Sequence, residues 1–210
     1  MEKLAYLVGV MLGDGGIYGK SYSVFSRDKN KEFCEYISKL VEITTGYKPN
    51  VVRVGGCWRT HSKIKPLQEK FLNLGVKKGK KLTTTEIPSW ILEKKELKIA
   101  FLQGIYDAEG YISIDRQKHN DKEYIYPLVG IDMISKKLVK QILEILSELS
   151  IKSKIEKCFP HGGKKQKLRV ITKGWDEVKK FNSIIGFRHP EKKEKIDGIL
   201  RDHTPNVERR

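Results

Sequence analysis

The chain has 210 residues, with 42 Lys and Arg against 26 Asp and Glu and a formal net charge of +16. That length supports a real core, as one large domain or two small ones, and that charge is the electrostatic footprint of a nucleic-acid binder. Cys34, Cys57 and Cys158 are widely separated, no Cys-x-x-Cys pair exists and the five histidines are scattered, so a zinc site is not expected and a reducing, cytoplasmic compartment fits best. The apolar run from Leu4 to Leu12 is too short to span a membrane and lacks a small-residue cleavage site. It is therefore neither a membrane span nor a signal peptide, and no membrane partner is expected.

That first run reads as an apolar helix ending near Gly15. Gly16 to Arg27 is rich in aromatic and small residues and reads as a strand bent at Gly19. Asn30 to Thr45 places Phe33, Ile37, Leu40 and Val41 at helical spacing and closes at Gly46. Pro49 to Val54 and Cys57 to His61 form a hairpin turning at Gly55-Gly56, and Ser62 to Leu74 is a helix closing at Gly75. A basic linker covers 76 to 95. The order then repeats: a helix from Lys98 to Glu109, a strand pair from Tyr111 to Asp115 and Tyr124 to Met133, and a helix from Ser135 to Leu149 with Leu138, Ile142, Ile145 and Leu149 on one face. Lys152 to Phe159 and Lys167 to Thr172 form a second hairpin around His161-Gly162-Gly163, and Trp175 to Ile185 is a helix closed by Gly186. The charged tail from Gly198 to Arg210 is expected to be mobile. The predicted fold class is α+β: two αββαββα halves, residues 1–95 with the linker and residues 96–210 with the tail.

The strands carry basic faces in both halves. Lys167, Arg169 and Lys173 share one face while Leu168 and Val170 share the other; Cys57, Arg59 and His61 alternate with Trp58 and Thr60, and Lys152 and Lys154 repeat the pattern. A two-stranded ribbon of this kind fits the major groove of DNA, where Arg and Lys read guanine edges or hold phosphates. The candidates are Arg53, Arg59, His61, Arg116, Lys154, Arg169 and Lys173.

One short pattern occurs twice. Leu7-Val8-Gly9-Val10-Met11-Leu12-Gly13-Asp14-Gly15 returns as Leu102-Gln103-Gly104-Ile105-Tyr106-Asp107-Ala108-Glu109-Gly110. In each copy, small residues four apart (Gly9 and Gly13, Gly104 and Ala108) lie on one helix face and admit a partner backbone. Each copy ends in an acid followed by glycine, and that glycine is expected to be left-handed. An acid at the negative end of a helix is disfavoured by up to about 1 kcal/mol. If the helices pair in parallel, Asp14 and Glu109 also repel each other. A local rule broken twice at matching places suggests a compensating positive charge, and a divalent metal is the simplest candidate.

The two segments resemble the LAGLIDADG motif of homing endonucleases, in the single-chain form that carries two motifs. Residues 102–110 match closely, and 7–15 more loosely, with Leu12 and Gly13 where Asp-Ala is usual. Gly79-Lys80-Lys81 followed by Ile87-Pro88-Ser89-Trp90-Ile91 is similar to the family's link between halves, and Ile185 to Lys193 to the end of its second half. The resemblance implies paired motif helices between two saddle-shaped sheets that grip double-stranded DNA. It implies Asp14 and Glu109 as the catalytic metal ligands, with Gly13 and Ala108 beside them, and Lys80 or Lys81 and Lys192 or Lys193 as basic catalytic residues. Asp107 matches the motif's earlier acid, which is not the main ligand. The implied metal is Mg²⁺ or Mn²⁺, with Ca²⁺ an ion that binds without supporting cleavage. The implied reaction is cleavage of both strands across the minor groove by a monomer, at a long non-palindromic site, leaving short 3′ overhangs. Two alternatives share the fold: a maturase that binds intron RNA, and a DNA-binding regulator that does not cut. Met1 and the Val207-Glu208-Arg209-Arg210 tail lack the nucleophile and terminal Asn of an intein, so a free-standing, intron-encoded protein is expected.

Overall fold

A computed structural model of the chain describes residues 1–79, 85–119, 122–158 and 166–202. The first half runs α1 (Glu2–Gly13), β1 (Gly16–Tyr18), β2 (Tyr22–Asp28), α2 (Lys31–Thr45), β3 (Asn50–Val54), β4 (Cys57–Ser62) and α3 (Lys65–Asn73). A short helix, α4 (Ser89–Leu92), precedes the second half. That half runs α5 (Lys95–Glu109), β5 (Gly110–His119), β6 (Lys122–Met133), α6 (Lys136–Glu148), β7 (Lys154–Cys158), β8 (Lys167–Lys173) and α7 (Trp175–Ile184), followed by α8 (Pro190–Asp202). The αββαββα order therefore occurs twice. Each half forms one four-stranded sheet, β1-β2-β4-β3 and β5-β6-β8-β7, with every pairing antiparallel.

Local chemistry sets the element ends. The Asn30 side chain accepts from the Phe33 N–H at 2.8 Å and starts α2, and Gly46 ends it at φ 79°. Ser135 plays the same starting role for α6 through the Leu138 N–H. The apolar stripes of both helices are buried, Phe33 and Ile37 in one and Leu138, Ile142 and Ile145 in the other.

Three expectations are corrected. Residues 16–27 form two strands rather than one bent strand, because Gly19 at φ 54° reverses the chain and sets Tyr18 opposite Tyr22. Residues 198–202 belong to α8 rather than to a mobile tail; that helix is anchored by the fully buried Ile196, and 203–210 lie outside the described residues. Gly15 and Gly110 are not left-handed. They are small for a different reason: a methyl group on Gly15 would lie 2.6 Å from the Val24 carbonyl oxygen, and one on Gly110 would lie 2.9 Å from the Tyr106 ring.

The two motif helices, α1 and α5, cross with their backbones touching. A methyl on Gly9 would lie 2.9 Å from the Ile105 nitrogen and would collide with the Phe101 carbonyl oxygen, and one on Gly104 would run into the carbonyl oxygen of Tyr6. Farther along, a methyl on Gly13 would meet that of Ala108. Real Cβ atoms do not approach backbone so closely, which is why small residues recur at this spacing. Both helices are buried along most of their length, so this seam is the centre of one continuous core.

Candidate active site

The seam delivers the two motif acids to one end. Asp14 caps α1, its N–H bonded to the Val10 carbonyl at 3.0 Å, and Glu109 is the last residue of α5. The Cγ of Glu109 lies 3.1 Å from the place a Gly13 methyl would occupy, so its side chain lies against the residue that precedes Asp14. Both acids are half-buried. Glu109 opens on a cavity also lined by Leu12, Thr85, Asp132, Ser135 and Lys167. A second cleft, past the end of α1, is lined by Gly15, Lys77, Lys78 and Glu86.

Basic groups reach this end by two routes. Lys192, from the first turns of α8, donates to three carbonyls at the end of α5: Tyr106 at 3.1 Å, Asp107 at 2.5 Å and Ala108 at 3.0 Å. Burial pushes its pKa down, against the pull of Asp107, Asp14, Asp28 and Glu109. An ammonium on the last carbonyls offsets the negative helix end on which Glu109 sits. It also occupies the Ala108 carbonyl, one of the groups expected beside the metal. Lys193, by contrast, is exposed in a groove with Asn182, Glu194 and Asp197. On the α1 side, the Gly79 N–H donates to Ile17 at 2.8 Å and Lys78 bridges to the same residue. The chain is therefore held beside β1 up to Gly79; Lys80 and Lys81 lie outside the described residues.

Asp107 has a separate role. It is fully buried and accepts from the Tyr6 hydroxyl at 2.6 Å and from the backbone N–H groups of Arg188 and His189 at 3.0 and 3.1 Å. Burial raises its pKa while these donors pull it down. Arg188 continues across the seam, donating to Gln103 at 2.5 Å and to Tyr36 at 2.8 Å, and His189 Nε2 sits 3.3 Å from Asp28. The 188–192 segment thus joins α1, α2 and α5 around the motif acids. The resemblance marks residues 185–193 as the end of the second half, but no periodic signal in the sequence gives the segment this joining role.

The strand registers sort the basic candidates by face, since directly opposed residues share one. In the first sheet, Arg59 pairs with Arg27 and His61 with Val24, and Tyr22 stacks 5.5 Å from His61. Burial and the charges of Arg59 and Lys63 lower the His61 pKa. Arg53 pairs with Trp58 and so faces the other way from Arg59 and His61. In the second sheet, Lys154, Arg169 and Lys173 share the outer face, whereas Arg116 pairs with Ile125 on the opposite one and contacts Glu123 at 3.4 Å. Arg27 and the Tyr18–Tyr22 pair were not anticipated on the outer face, because a bulge between Val24 and Ser26 sets which side each residue takes.

A metal would find two carboxylates here. Among the described residues no three His, Cys, Asp or Glu side chains form a metal-binding group. Two carboxylates completed by water and substrate phosphate oxygens form a donor set suited to Mg²⁺ or Mn²⁺, so the residues fit. Among the described residues no helix is long and apolar enough to cross a membrane.

Residues 96–186 match the model of the LAGLIDADG-like domain. That stretch of the second half is therefore similar to a LAGLIDADG-like domain. A solved structure of I-DmoI in complex with DNA and Ca shares the fold, with a TM-score of 0.67 and 18% identity over 94% of this chain and 97% of that one. The homing endonuclease I-WcaI bound to its DNA recognition sequence superposes with a TM-score of 0.57 at 18% identity, covering 93% and 85% of the two chains. Among curated proteins, the glutamine–fructose-6-phosphate aminotransferase of Methanocaldococcus jannaschii is 27% identical over 207 residues, which cover 94% of this chain. This chain spans 17%, 9% and 11% of the lengths of three such relatives.

Proposed function

We propose that this chain is a divalent-metal-dependent DNA endonuclease that cuts both strands at a long, non-palindromic site while acting as a monomer of two halves, 1–95 and 96–210. The observation that carries the reading is the delivery of Asp14 and Glu109 to one end of a seam that has room only for backbone. Asp14 and Glu109 would each help to hold divalent metal, which, when bound, supplies Lewis-acid stabilisation of charge on a phosphate and lowers the pKa of water. Each acid serves one strand, so the two halves supply two pseudo-symmetric centres. Lys192 holds the end of α5 in place and offsets the negative charge that phosphate brings. Lys80 or Lys81 is proposed for the matching role in the first half. The outer strand faces, with Arg59 and His61 in one half and Lys154, Arg169 and Lys173 in the other, hold the duplex and read it. Because the halves differ in sequence, their half-sites differ too.

The test is cleavage of a randomised duplex library with Mg²⁺, wild type beside the Asp14→Asn/Glu109→Gln double variant. Cuts at one long motif, lost in the variant while duplex binding persists, are expected. Full-rate cutting by the double variant would remove both acids from the mechanism.

A further inference from the structure

The two sheets present cations to their outer faces in opposite electrostatic states. Arg27 lies three residues before the Asn30 cap of α2, and Asp132 lies three before the Ser135 cap of α6, so the two occupy matching places. Their cross-strand rows can be compared directly. The first reads Arg27, Arg59, Val52; the second reads Asp132, Arg169, Glu156. In the first row two arginines stand directly opposite each other, an arrangement that destabilises a sheet. The partner described for Arg59 is neutral, the Tyr22 hydroxyl at 3.3 Å. No carboxylate lies on that face within the strands β2, β3 and β4. In the second row Arg169 is clamped by both oxygens of Asp132, at 2.7 and 2.9 Å, and lies 5.5 Å over the Tyr111 ring. Two further cations on that face repeat the device. Lys173 contacts Asp115 at 2.5 Å and lies 5.0 Å over Tyr126, and Lys154 contacts Glu156 at 2.6 Å.

Taking the duplex to lie on these faces, as proposed above, we infer that the sheets divide recognition: the first supplies salt-dependent affinity through Arg27 and Arg59, and the second supplies sequence discrimination through Asp115, Asp132 and Glu156. An unopposed arginine gains a phosphate and releases a counterion, a gain that every sequence offers equally. A cation already held by a carboxylate gains little from phosphate. The held pair instead presents a fixed donor beside a fixed acceptor. Such a pair matches base edges, with guanine accepting from Arg or Lys and cytosine or adenine donating an amino hydrogen to Asp or Glu. A wrong base leaves one member desolvated and unpaired, the costly outcome on which selectivity rests. Asp115, Asp132 and Glu156 are therefore specificity-determining residues that act by suppressing phosphate binding by their own cations.

The experiment measures fluorescence anisotropy of the full chain on a random-sequence duplex across a potassium chloride series. Asp115→Asn/Asp132→Asn/Glu156→Gln is expected to bind at least about tenfold tighter, with a salt slope steeper by about 2 to 3, as three freed cations each meet phosphate. Arg27→Gln/Arg59→Gln is expected to flatten the slope by about 2 and weaken binding. Asp115→Asn alone, at a partly exposed pair, guards against misfolding of the triple variant and should steepen the slope by about 1. Unchanged slopes in the Asp115 and triple variants would overturn the division of labour and leave DNA binding intact. Failure of the wild type to bind duplex at all would instead overturn the DNA reading, and this inference with it.

Discussion

Tyr6 and Asp107 sit across the seam from each other, and the motif repeat places Phe101 and Leu12 at the matching positions of the opposite helices. One side of the pseudo-symmetric pair is a buried hydrogen bond of 2.6 Å; the other is apolar, with Phe101 fully buried and Leu12 6% exposed. The difference follows from what each half must hold. The second half ends in a segment whose Arg188 and His189 N–H groups point into the core and need an acceptor there, which Asp107 provides. In the first half the chain beyond α3 runs beside β1, where the Gly79 N–H finds the Ile17 carbonyl. A buried acid is kept where main-chain donors require it and replaced by leucine where strand pairing satisfies them.

Substitutions can break this comparison in order of expected size. Asp107→Ala strands the Tyr6 hydroxyl and two N–H groups, and should lower unfolding free energy by about 4 kcal/mol, measured by urea denaturation. Gly104→Ala forces a methyl against the carbonyl of Tyr6, and should cost about 3 kcal/mol without touching either motif acid. Tyr6→Phe copies the first-half arrangement on one side only. It should cost about 1 kcal/mol, because Asp107 keeps its two backbone donors.

The smallest effect concerns Asp28, which contacts His189. Burial pushes its pKa up, but hydrogen bonds from His189 and the Asn30 N–H outweigh that and hold it below the ordinary value of 3.8. A depressed carboxyl contributes stability that is present above its unfolded pKa and lost as pH falls through the folded one. Wild type should therefore lose stability below about pH 4 more steeply than Asp28→Asn, as read from thermal melts across that range.

Much of the architecture was legible in the chain. Helical stripes such as Phe33-Ile37-Leu40, the Gly55-Gly56 turn and the helix starts at Asn30 and Ser135 are local signals, and the structure uses each of them. The seam was legible too, because small residues four apart have few other uses. What escaped depends on distant partners. The role of Asp107 rests on residues 101, 81 and 82 positions away. The faces taken by Arg53 and Arg116 depend on cross-strand register, which alternation within one strand does not specify. Gly15 and Gly110 were identified as special, but the cause is crowding by neighbours rather than a turn conformation.

A seam made of main-chain atoms has no slack. Side chains repack when a neighbour changes, whereas a carbonyl oxygen set against a glycine has nowhere to go. The spacing of the two acids is thus a gauge machined into the backbone, set apart from the side chains on the outer strand faces. On the proposed DNA reading, residues on the outer strand faces can change while the stagger between the two acids stays constant, so the choice of a target and the geometry held there can change separately.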